Sequence, residues 1–459
     1  MPYRGSAGYA VDGKHIMIFR IMHRRHKFFL LAVLAFACAG AIPSRAQVRQ
    51  PLHPDMYGRA IQEIRIVGLR HTREDIILDQ LASRVGGKYT EDTEKDDYRW
   101  LDRMGLFSSI RFTPLPSGDQ VILTVEVQEL LRFVPYPAIN VTGENGVSEG
   151  FGIRIPSLLR RAVALTASAR FGPLKEVEAA LQPAWRLRKR DWFDLRYNYR
   201  DRPNQLYHFT ELAHELEFRG GIRFLRDWRI GGRFSLLSLS SDQPGKTLSP
   251  GNRDLTPALG ALVEYDGRDL RSNPHRGWQT ILEISQNGGW AGGDGDFVSA
   301  RFDIRRYQAL AERHVLAFFS FATLQSGQPG VDVPLYSTFH IGGTNSVRGW
   351  NPDARQGNNQ FLSTLEYRYE ALQPKSFRIK GFGFYIGVQL AAFADLATAW
   401  DPGSDFTRNM IGGAGFGIRL VIPVVDMIRI DFGFGQSGAG LLSHFGLREK
   451  ADYARMRVR

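Results

Sequence analysis

The chain has a single cysteine, Cys38, among its 459 residues. This cysteine lies in a short apolar run near the amino terminus, which we expect to be removed with a signal peptide. The mature chain would then have no thiol group. That excludes both disulfide bonds and thiolate metal sites.

Long apolar runs are also scarce. The run near the amino terminus covers residues 28–42, follows the basic stretch 20–27 and is followed by Ser44-Arg45-Ala46. It is too short for a transmembrane helix, which needs about twenty apolar residues, although an amino-terminal membrane anchor is the alternative. A basic region, a short apolar region and small residues before a cleavage point are typical of a secretory signal peptide. We therefore predict a signal peptide with an amino-terminal extension over residues 1–46 and a linker over 47–59.

No set of side chains combines a nucleophile, a base and an acid that would support catalysis. His208 and His214 stand six positions apart, which matches no strong metal-ligand spacing. The net charge of +12 is spread along the chain, whereas a nucleic-acid-binding protein is expected to cluster its basic residues. We expect no enzyme activity, no cofactor, no metal and no nucleic-acid partner.

Residues 60–129 have the pattern of a small α+β domain. A strand with alternating polarity is predicted over 61–67. Two helices follow it, with Thr72 as the predicted N-cap of the first and Gly105 as the end of the second. Two further alternating strands continue to Gln128. The predicted order is strand, helix, helix, strand, strand.

From Leu130 onward the sequence alternates between apolar and polar residues in segments separated by Gly, Pro, Asn or Asp. Phe302 and Ile304, for example, alternate with Asp303 and arginines. This pattern suits a wall with lipid outside and water inside, although the strands of a soluble sandwich alternate too. We count sixteen such segments, an even number, as expected for a bacterial barrel. We predict an all-β, sixteen-stranded antiparallel transmembrane barrel over 130–450 and a carboxy-terminal tail over 451–459.

One connection between predicted strands is unusually long, at about thirty residues, and loops of that length are usually functional or disordered. Its centre, 341–350, reads Ile-Gly-Gly-Thr-Asn-Ser-Val-Arg-Gly-Trp. Gly342 and Gly343 allow a positive φ or close backbone approach. Val347-Arg348-Gly349 can present a charged tip on a tight turn. A glycine-rich surface loop with its arginine in solvent is the alternative.

The stretch 341–350 resembles the signature loop of the bacterial outer-membrane assembly and translocation superfamily, the BamA/TamA-like surface antigens. Residues 60–129 resemble the POTRA domain of that superfamily. Several separated stretches match its other motifs in the right order, namely Tyr265-Asp266-Gly267-Arg268-Asp269 with Asn273-Pro274, Glu366-Tyr367-Arg368-Tyr369, Phe393-Ala394-Asp395, Gly415-Phe416-Gly417-Ile418-Arg419 and Arg429-Ile430-Asp431-Phe432-Gly433. The resemblance implies one POTRA-like periplasmic domain followed by an outer-membrane barrel.

The resemblance also implies that the signature loop folds back into the barrel and pairs its arginine with acids of the inner wall. A buried arginine needs such a partner, because breaking a buried ion pair costs about 3–5 kcal/mol. We predict that Glu366 and Asp395 are the salt-bridge partners of Arg348. The predicted inner-loop motif consists of Gly342, Gly343, Ser346, Val347, Arg348, Gly349 and Trp350.

The two ends of the predicted sheet contain residues that weaken strand pairing. Pro135 and Pro137 lie in the first predicted strand, and Gly440 and Gly446 accompany the last. Proline lacks a backbone donor and is confined to strand edges or ends. We predict a lateral seam here, at which client strands pair with an exposed edge.

The function implied by the resemblance is assembly and insertion of β-barrel proteins into the outer membrane, or polypeptide translocation across it. The implied partners are unfolded outer-membrane protein clients or a secreted polypeptide, outer-membrane lipid and lipopolysaccharide, and accessory periplasmic subunits. Two alternatives stay open: a dedicated secretion pore for one substrate, and a passive channel or surface antigen without a client. A plug helix before the POTRA-like domain would favour the dedicated pore, but residues 47–59 are too short and too rich in proline to form one.

Overall fold

The computed structural model describes residues 53–446, apart from 143–145, 159, 161, 184–190, 205, 226, 380–381, 423–425, 437 and 439. The predicted signal peptide and carboxy-terminal tail lie outside the described residues. Of the predicted linker, residues 53–59 are described. They include a 3-10 helix, Pro54–Met56, and they lie against the following domain, since Met56 and Tyr57 pack on its core.

That domain is a three-stranded sheet packed against two helices. Its elements are β1 Ala60–Val67, α1 Glu74–Gln80, α2 Glu91–Arg103, β2 Phe107–Ser117 and β3 Gln120–Glu129. The strand order is β1-β3-β2, with β1 parallel and β2 antiparallel to β3. Val121, Leu123 and Val125 alternate along the central strand and are fully buried against Leu101 of α2. The predicted order of elements is therefore the observed one.

The prediction that Thr72 is the N-cap of α1 is wrong. The N-cap position is held by Arg73, whose side chain makes no capping hydrogen bond. Instead the backbone N–H groups of Arg70, His71 and Thr72 donate to the carboxylate of Glu129, at 3.0, 2.8 and 2.9 Å. A carboxylate at the end of β3 thus fixes the segment before the helix, and a tertiary contact replaces the local cap.

Sixteen further strands of the described residues form one antiparallel sheet. They are β4 Val134–Thr142, β5 Gly146–Leu158, β6 Val163–Phe171, β7 Lys175–Pro183, β8 Asp191–Asn204, β9 Phe209–Arg223, β10 Trp228–Ser241, β11 Arg253–Asp266, β12 Gly277–Gly288, β13 Asp296–Ala311, β14 His314–Gln325, β17 Asn359–Ile379, β18 Phe382–Trp400, β19 Ile411–Ile422, β20 Asp426–Gly435 and β21 Leu441–Gly446. Between β14 and β17 lie two short strands, β15 Phe339–Ile341 and β16 Arg355–Gly357.

The sheet confirms the predicted barrel fold, with one qualification at its ends. Each strand pairs with its neighbours in chain order, and β14 pairs with β17 across the long connection. Within the described residues, β4 pairs only with β5 and β21 only with β20, so the sheet is not closed by hydrogen bonds. The first and last strands nevertheless lie beside each other.

Alternate residues of the barrel strands face different surroundings. On β13, Asp303 and Arg305 are buried, whereas Phe302 and Leu310 are 41% and 55% exposed. Charged residues therefore face the interior, while apolar residues face outward, where lipid would lie. Among the described residues, no helix combines the length and apolarity needed to cross a membrane.

Chain direction assigns each connection to one end of the barrel. The chain enters β4 directly from the small domain, so every second connection that the structure describes, including the one with Asp227 and the one over 267–276, lies at the end next to that domain. The long connection 326–358 lies at the opposite end. If this connection folds into the barrel, it therefore enters the interior from the end that is distant from the small domain.

Candidate functional site

The long connection folds as a compact unit. Its two short strands pair, with Phe339 opposite Gly357, and the chain turns between them. At the turn the Ser346 hydroxyl donates to the Gly342 carbonyl at 2.8 Å and accepts the Gly342 N–H at 2.6 Å. Gly342 has φ +126°, and a Cβ there would lie 2.1 Å from the Asn351 carbonyl oxygen. This turn needs glycine for both its torsion and its space.

The apolar side chains of the connection pack against the barrel wall. Val347 and Ile341 are fully buried, and Trp350 is nearly so. The Trp350 indole N–H also donates to the Gly412 carbonyl at 2.8 Å. Their apolar neighbours come from four barrel strands and are Phe321, Leu362, Ala397, Ala399 and Ile411. The connection is thus held by packing as well as by polar contacts.

Arg348 at the tip is fully buried and surrounded by acceptors. Its Nε and Nη2 donate to the two carboxylate oxygens of Asp395, each at 2.8 Å, and its backbone N–H donates to the same carboxylate at 3.0 Å. Its Nη1 donates to Glu366 at 3.2 Å and to Asp431 at 3.1 Å. The guanidinium carbon lies 3.3 Å from the centre of the Phe393 ring. A bidentate carboxylate and a stacked ring suit arginine and not lysine.

The structure therefore places both predicted acids, Glu366 and Asp395, against Arg348. It adds Asp431, which the sequence analysis noted only as part of the matching stretch 429–433. Arg368 and Arg419 each donate to Glu366 at 2.8 Å. Arg419 and Arg429 both donate to Asp431, at 2.6 and 3.0 Å. Within this cluster of described residues, four arginines share three buried carboxylates, so the formal charge is balanced to within one unit.

His444 of the last strand joins this cluster, and the sequence analysis missed it. Its Nε2 accepts the backbone N–H of Gly349 at 2.9 Å, and its Nδ1 lies 3.2 Å from the Thr344 hydroxyl. A nitrogen that accepts carries no proton, so these contacts assign a neutral ring with its proton on Nδ1. Arg429 in the neighbouring strand donates to the Thr344 carbonyl at 3.1 Å. The loop tip is therefore tied to the edge strand of the sheet.

Glycines in strands β19 and β20 let the backbone of the loop approach the barrel wall closely. A Cβ added at Gly413 would lie 2.0 Å from the Arg348 carbonyl oxygen, and one at Gly433 would lie 2.7 Å from the Gly349 nitrogen. A Cβ at Gly435 would lie 2.3 Å from the Gly349 carbonyl oxygen. Glycine inside a strand often marks close approach of another backbone. In both strands glycine recurs at every second position, at 413, 415 and 417 and at 433 and 435. This spacing is the sequence signal that could have predicted which strands the loop packs against.

The predicted seam residues lie in or next to β4 and β21, the first and last strands of the sheet as far as the structure describes it. Pro135 and Pro137 belong to β4, where they stand opposite residues of β5. Gly440 precedes β21, and Gly446 ends it opposite Arg429. A Cβ at Gly446 would lie 2.6 Å from Nε of Arg429. Gly446 therefore makes room for an arginine of the cluster, in addition to standing at the edge.

The small domain contacts the barrel through α2. Arg99 and Arg103 form ion pairs with Asp227 in a barrel turn, at 3.1 and 3.3 Å. The backbone N–H of Arg271 in another turn donates to Asp102 at 2.7 Å. Helix α2 thus lies across the turns at this end of the barrel.

One sequence feature matches the spacing of a hydrolase nucleophile motif, Gly-x-Ser-x-Gly, at residues 146–150. Ser148 lies inside β5, and its hydroxyl accepts the backbone N–H of Leu174 at 3.0 Å. The motif requires a turn from strand to helix, which is not the setting of Ser148. The described residues contain no group of three or more His, Cys, Asp or Glu side chains placed to hold a metal ion.

Comparison with known protein families matches two parts of the chain. The Omp85 superfamily domain matches residues 167–440, and the surface antigen variable number repeat, a POTRA domain, matches residues 60–130. The first match alone covers more than half of the chain. The matched regions correspond to most of the barrel and to the small α+β domain.

A curated relative is consistent with the match to the Omp85 superfamily domain. The outer membrane protein assembly factor BamA of Nitratidesulfovibrio vulgaris is 28% identical over an alignment 219 residues long that covers 44% of this chain and 26% of that protein. The chain therefore matches about a quarter of that relative's length.

Two solved structures share the fold. BamA from Haemophilus ducreyi lacking POTRA domains 1–3 has a TM-score of 0.52 at 15% identity, covering 84% of this chain and 83% of its own. CdiB from Escherichia coli has a TM-score of 0.58 at 13% identity, covering 85% and 76%. The chain belongs to the Omp85 superfamily, as an outer-membrane β-barrel with a POTRA domain on its periplasmic side.

Proposed function

We propose that this protein assembles β-barrel proteins into the outer membrane or passes polypeptide chains across it. The observation that carries the proposal is that, among the residues that the structure describes, β4 and β21 each leave one edge unpaired in a sheet of membrane-spanning strands. Backbone groups that face lipid unpaired cost several kcal/mol each. A free edge therefore favours pairing with an incoming strand, and backbone hydrogen bonds make such pairing nearly independent of sequence.

The buried loop supports the proposal because it connects the wall to the seam. Arg348 is bound to Asp395 on β18, and Gly349 is bound to His444 on the edge strand β21. Opening of the sheet at β21 must therefore break or carry along this contact. We infer that the loop sets the position of the edge strand, and that clients insert where that strand leaves β4.

The proposed partners follow from the surfaces that each would meet. Unfolded outer-membrane proteins or a secreted polypeptide would meet the free edges. Outer-membrane lipid and lipopolysaccharide would meet the outward apolar side chains, such as Phe151 and Phe171, which are 70% and 58% exposed. Accessory periplasmic subunits would meet the POTRA domain.

Depletion of the protein, followed by quantitative profiling of the outer membrane, tests this function. We expect the levels of many unrelated barrel proteins to fall together, because pairing at a backbone edge does not depend on client sequence. Loss of one secreted or surface protein alone would indicate a dedicated secretion pore. A change in permeability with an unchanged set of outer-membrane proteins would overturn the proposal in favour of a passive channel.

A further inference from the structure

An exposed tryptophan stands at the outer end of the barrel, in the connection 289–295 between β12 and β13. Trp290 is 74% exposed and is the middle residue of one 3-10 turn, Gly289–Ala291. Trp228 at the periplasmic end, by contrast, is 38% exposed and packs on Tyr265 with 5.0 Å between the ring centres. Aromatic side chains gain free energy when they leave water. A partner that covers the exposed indole would therefore be stabilised by that contact.

The loop that carries this tryptophan is fixed in place by its neighbours. Gly289 has φ +55°, and a Cβ there would lie 2.1 Å from Oδ1 of Asp296. Gly293 has φ +75°, and a Cβ there would lie 2.1 Å from the Leu255 carbonyl oxygen, so both positions require glycine. The Asp294 N–H donates to that carbonyl at 2.7 Å, and the Leu255 N–H donates back to the Asp294 carboxylate at 2.8 Å. Binding to this loop would therefore cost little conformational entropy.

The loop lies against the side of the barrel that faces lipid. Leu255 and Pro257 alternate along β11 with the buried residues Asp254 and Thr256, so they face outward. A Cβ added at Gly293 would lie 2.5 Å from Cδ of Pro257. The loop thus continues the outward face of the strands beyond their outer ends.

Strand length places the tryptophan above the apolar part of the membrane. β12 has 12 residues, Gly277–Gly288, and runs from the periplasmic end to the outer end. At about 3.3 Å per residue and a tilt of about 40°, it rises roughly 30 Å along the membrane normal, whereas the apolar band of such barrels is about 25 Å tall. Trp290 lies two residues beyond the end of β12. It is therefore level with the headgroups of the outer leaflet, which in an outer membrane are the sugars of lipopolysaccharide.

Polar side chains at the base of the loop suit sugar hydroxyls better than phosphates. Gln286 alternates with the buried residues Ser285 and Asn287, so it faces outward, and its Nε2 donates to Oδ1 of the exposed Asp296 at 2.8 Å. A Cβ added at Gly289, directly before the tryptophan, would lie 2.7 Å from the same Nε2. An amide and a carboxylate can exchange hydrogen bonds with neutral hydroxyl groups, but a carboxylate repels a phosphate.

We propose that Trp290, Gln286 and Asp296 bind a neutral hexose in the core oligosaccharide of lipopolysaccharide. One face of the indole covers the C–H groups of the sugar ring, and the amide and the carboxylate bind hydroxyl groups at its edge. This site goes beyond the proposed function, because it needs no polypeptide client. It gives the barrel a fixed contact with the sugar layer outside the bilayer, separate from the contact of acyl chains with the strands.

The test measures binding of core oligosaccharide to the full chain in phospholipid nanodiscs. The oligosaccharide is released from lipopolysaccharide by mild acid and labelled with a fluorophore. We expect saturable binding by the unaltered protein and about tenfold weaker binding by Trp290→Ala, because the stacking surface is lost. Asp296→Asn should weaken binding less, because the amide keeps one acceptor oxygen.

A second measurement reports where the indole lies before the sugar binds. The difference in acrylamide quenching between the unaltered protein and Trp290→Ala gives the accessibility of Trp290. We expect Trp290 to be accessible in phospholipid nanodiscs and protected once the oligosaccharide is added. An indole already protected by phospholipid alone would be a membrane-interface anchor, and that result would overturn the proposal.

Val331→Ala is the matched control, because Val331 is 65% exposed in another connection at the same end of the barrel. This variant should bind the oligosaccharide like the unaltered protein. Heat-dependent gel mobility would verify that each variant is folded. Equal affinity of Trp290→Ala and the unaltered protein, or no saturable binding by the unaltered protein, would also overturn the sugar site.

Discussion

At the scale of single residues, Arg348 is a fully buried arginine with three carboxylate partners. Its charge is fully removed from solvent. One edge of its guanidinium group donates to both oxygens of a carboxylate, and the group lies over an aromatic ring. The energy of such a buried pair depends on geometry, since the cost of dehydration is recovered only when the donors and acceptors match. Side-chain shape therefore matters here as much as charge.

We predict that Arg348→Lys loses most of the client-assembly activity although it keeps the positive charge. Lysine has one ammonium group in place of a planar fork, so it cannot bind both oxygens of Asp395 and also reach Asp431. The loss of stability should be about 1–3 kcal/mol, because buried carboxylate oxygens lose their hydrogen-bond donors while the charge is kept. Urea unfolding and a proteoliposome assembly assay would measure the two effects.

The matched control for this prediction is Arg253→Lys, at an exposed arginine of the same barrel. That variant should resemble the unaltered protein in both assays. A charge exchange between Arg348 and Asp395 should restore part of the lost activity, more than an exchange with Glu366, which also binds Arg368 and Arg419. Full activity of Arg348→Lys would show that the fork geometry is dispensable.

At the scale of elements, strands β19 and β20 combine two roles. Their outward side chains, such as Phe416 and Phe434, are about half exposed, while their glycines on the inner face leave space for the loop backbone. The loop can approach these strands only because no side chain intervenes. Docking of the loop is thus a property of the strands as much as of the loop.

We predict that Gly433→Ala displaces the loop and lowers stability by roughly 1–3 kcal/mol, the usual cost of overpacking. The added Cβ would meet the Gly349 nitrogen at 2.7 Å and the Arg348 carbonyl carbon at 2.8 Å. Protease accessibility of the loop should rise, and the assembly activity should fall with it.

Gly232→Ala in β10 is the control, because a Cβ there meets nothing nearer than 3.6 Å. Neither glycine has a positive φ, so the two substitutions differ in contact and not in backbone strain. Unchanged loop protection in Gly433→Ala would contradict the close approach described here.

At the scale of the whole molecule, the described part of the sheet has two edges without strand partners, at β4 and β21, and these edges lie beside each other. The inner loop contacts β21, and the POTRA domain occupies the turns at the periplasmic end. A barrel arranged in this way can change its circumference at one place while the other strand pairs stay intact. We expect any functional opening to be confined to that place.

We predict that a disulfide between β4 and β21 blocks assembly activity, and that reduction restores it. One cysteine would be scanned over 134–138 and the other over 441–445, each pair oxidised and then reduced in the same sample. The expected removal of Cys38 with the signal peptide leaves no competing thiol. Full activity of an oxidised pair, verified by its gel mobility, would rule out opening at this seam.

A second pair of cysteines, at Leu216 and Leu236, is the control. These residues already stand opposite each other in the paired strands β9 and β10. A disulfide there should leave activity unchanged, because it joins strands that are already held by a continuous ladder.

The sequence by itself determined the repeated elements of the protein. Polarity with a period of two predicted sixteen strands, and their number agrees with the structure because alternation is a local consequence of the two faces of each strand. The motif match also identified the superfamily. Arg348, Glu366 and Asp395 could be named together because a buried charge requires a partner and the motif order supplied candidates.

Only the tertiary structure decided the contacts between distant parts of the chain. Asp431 and His444 reach the loop through strand register, and Glu129 replaces the predicted cap at Thr72 through a contact across the domain. The unpaired edges of β4 and β21 also depend on how the whole sheet curves. Local sequence patterns encode the conformation and the exposed face of a segment, but the distance between two segments depends on every strand between them.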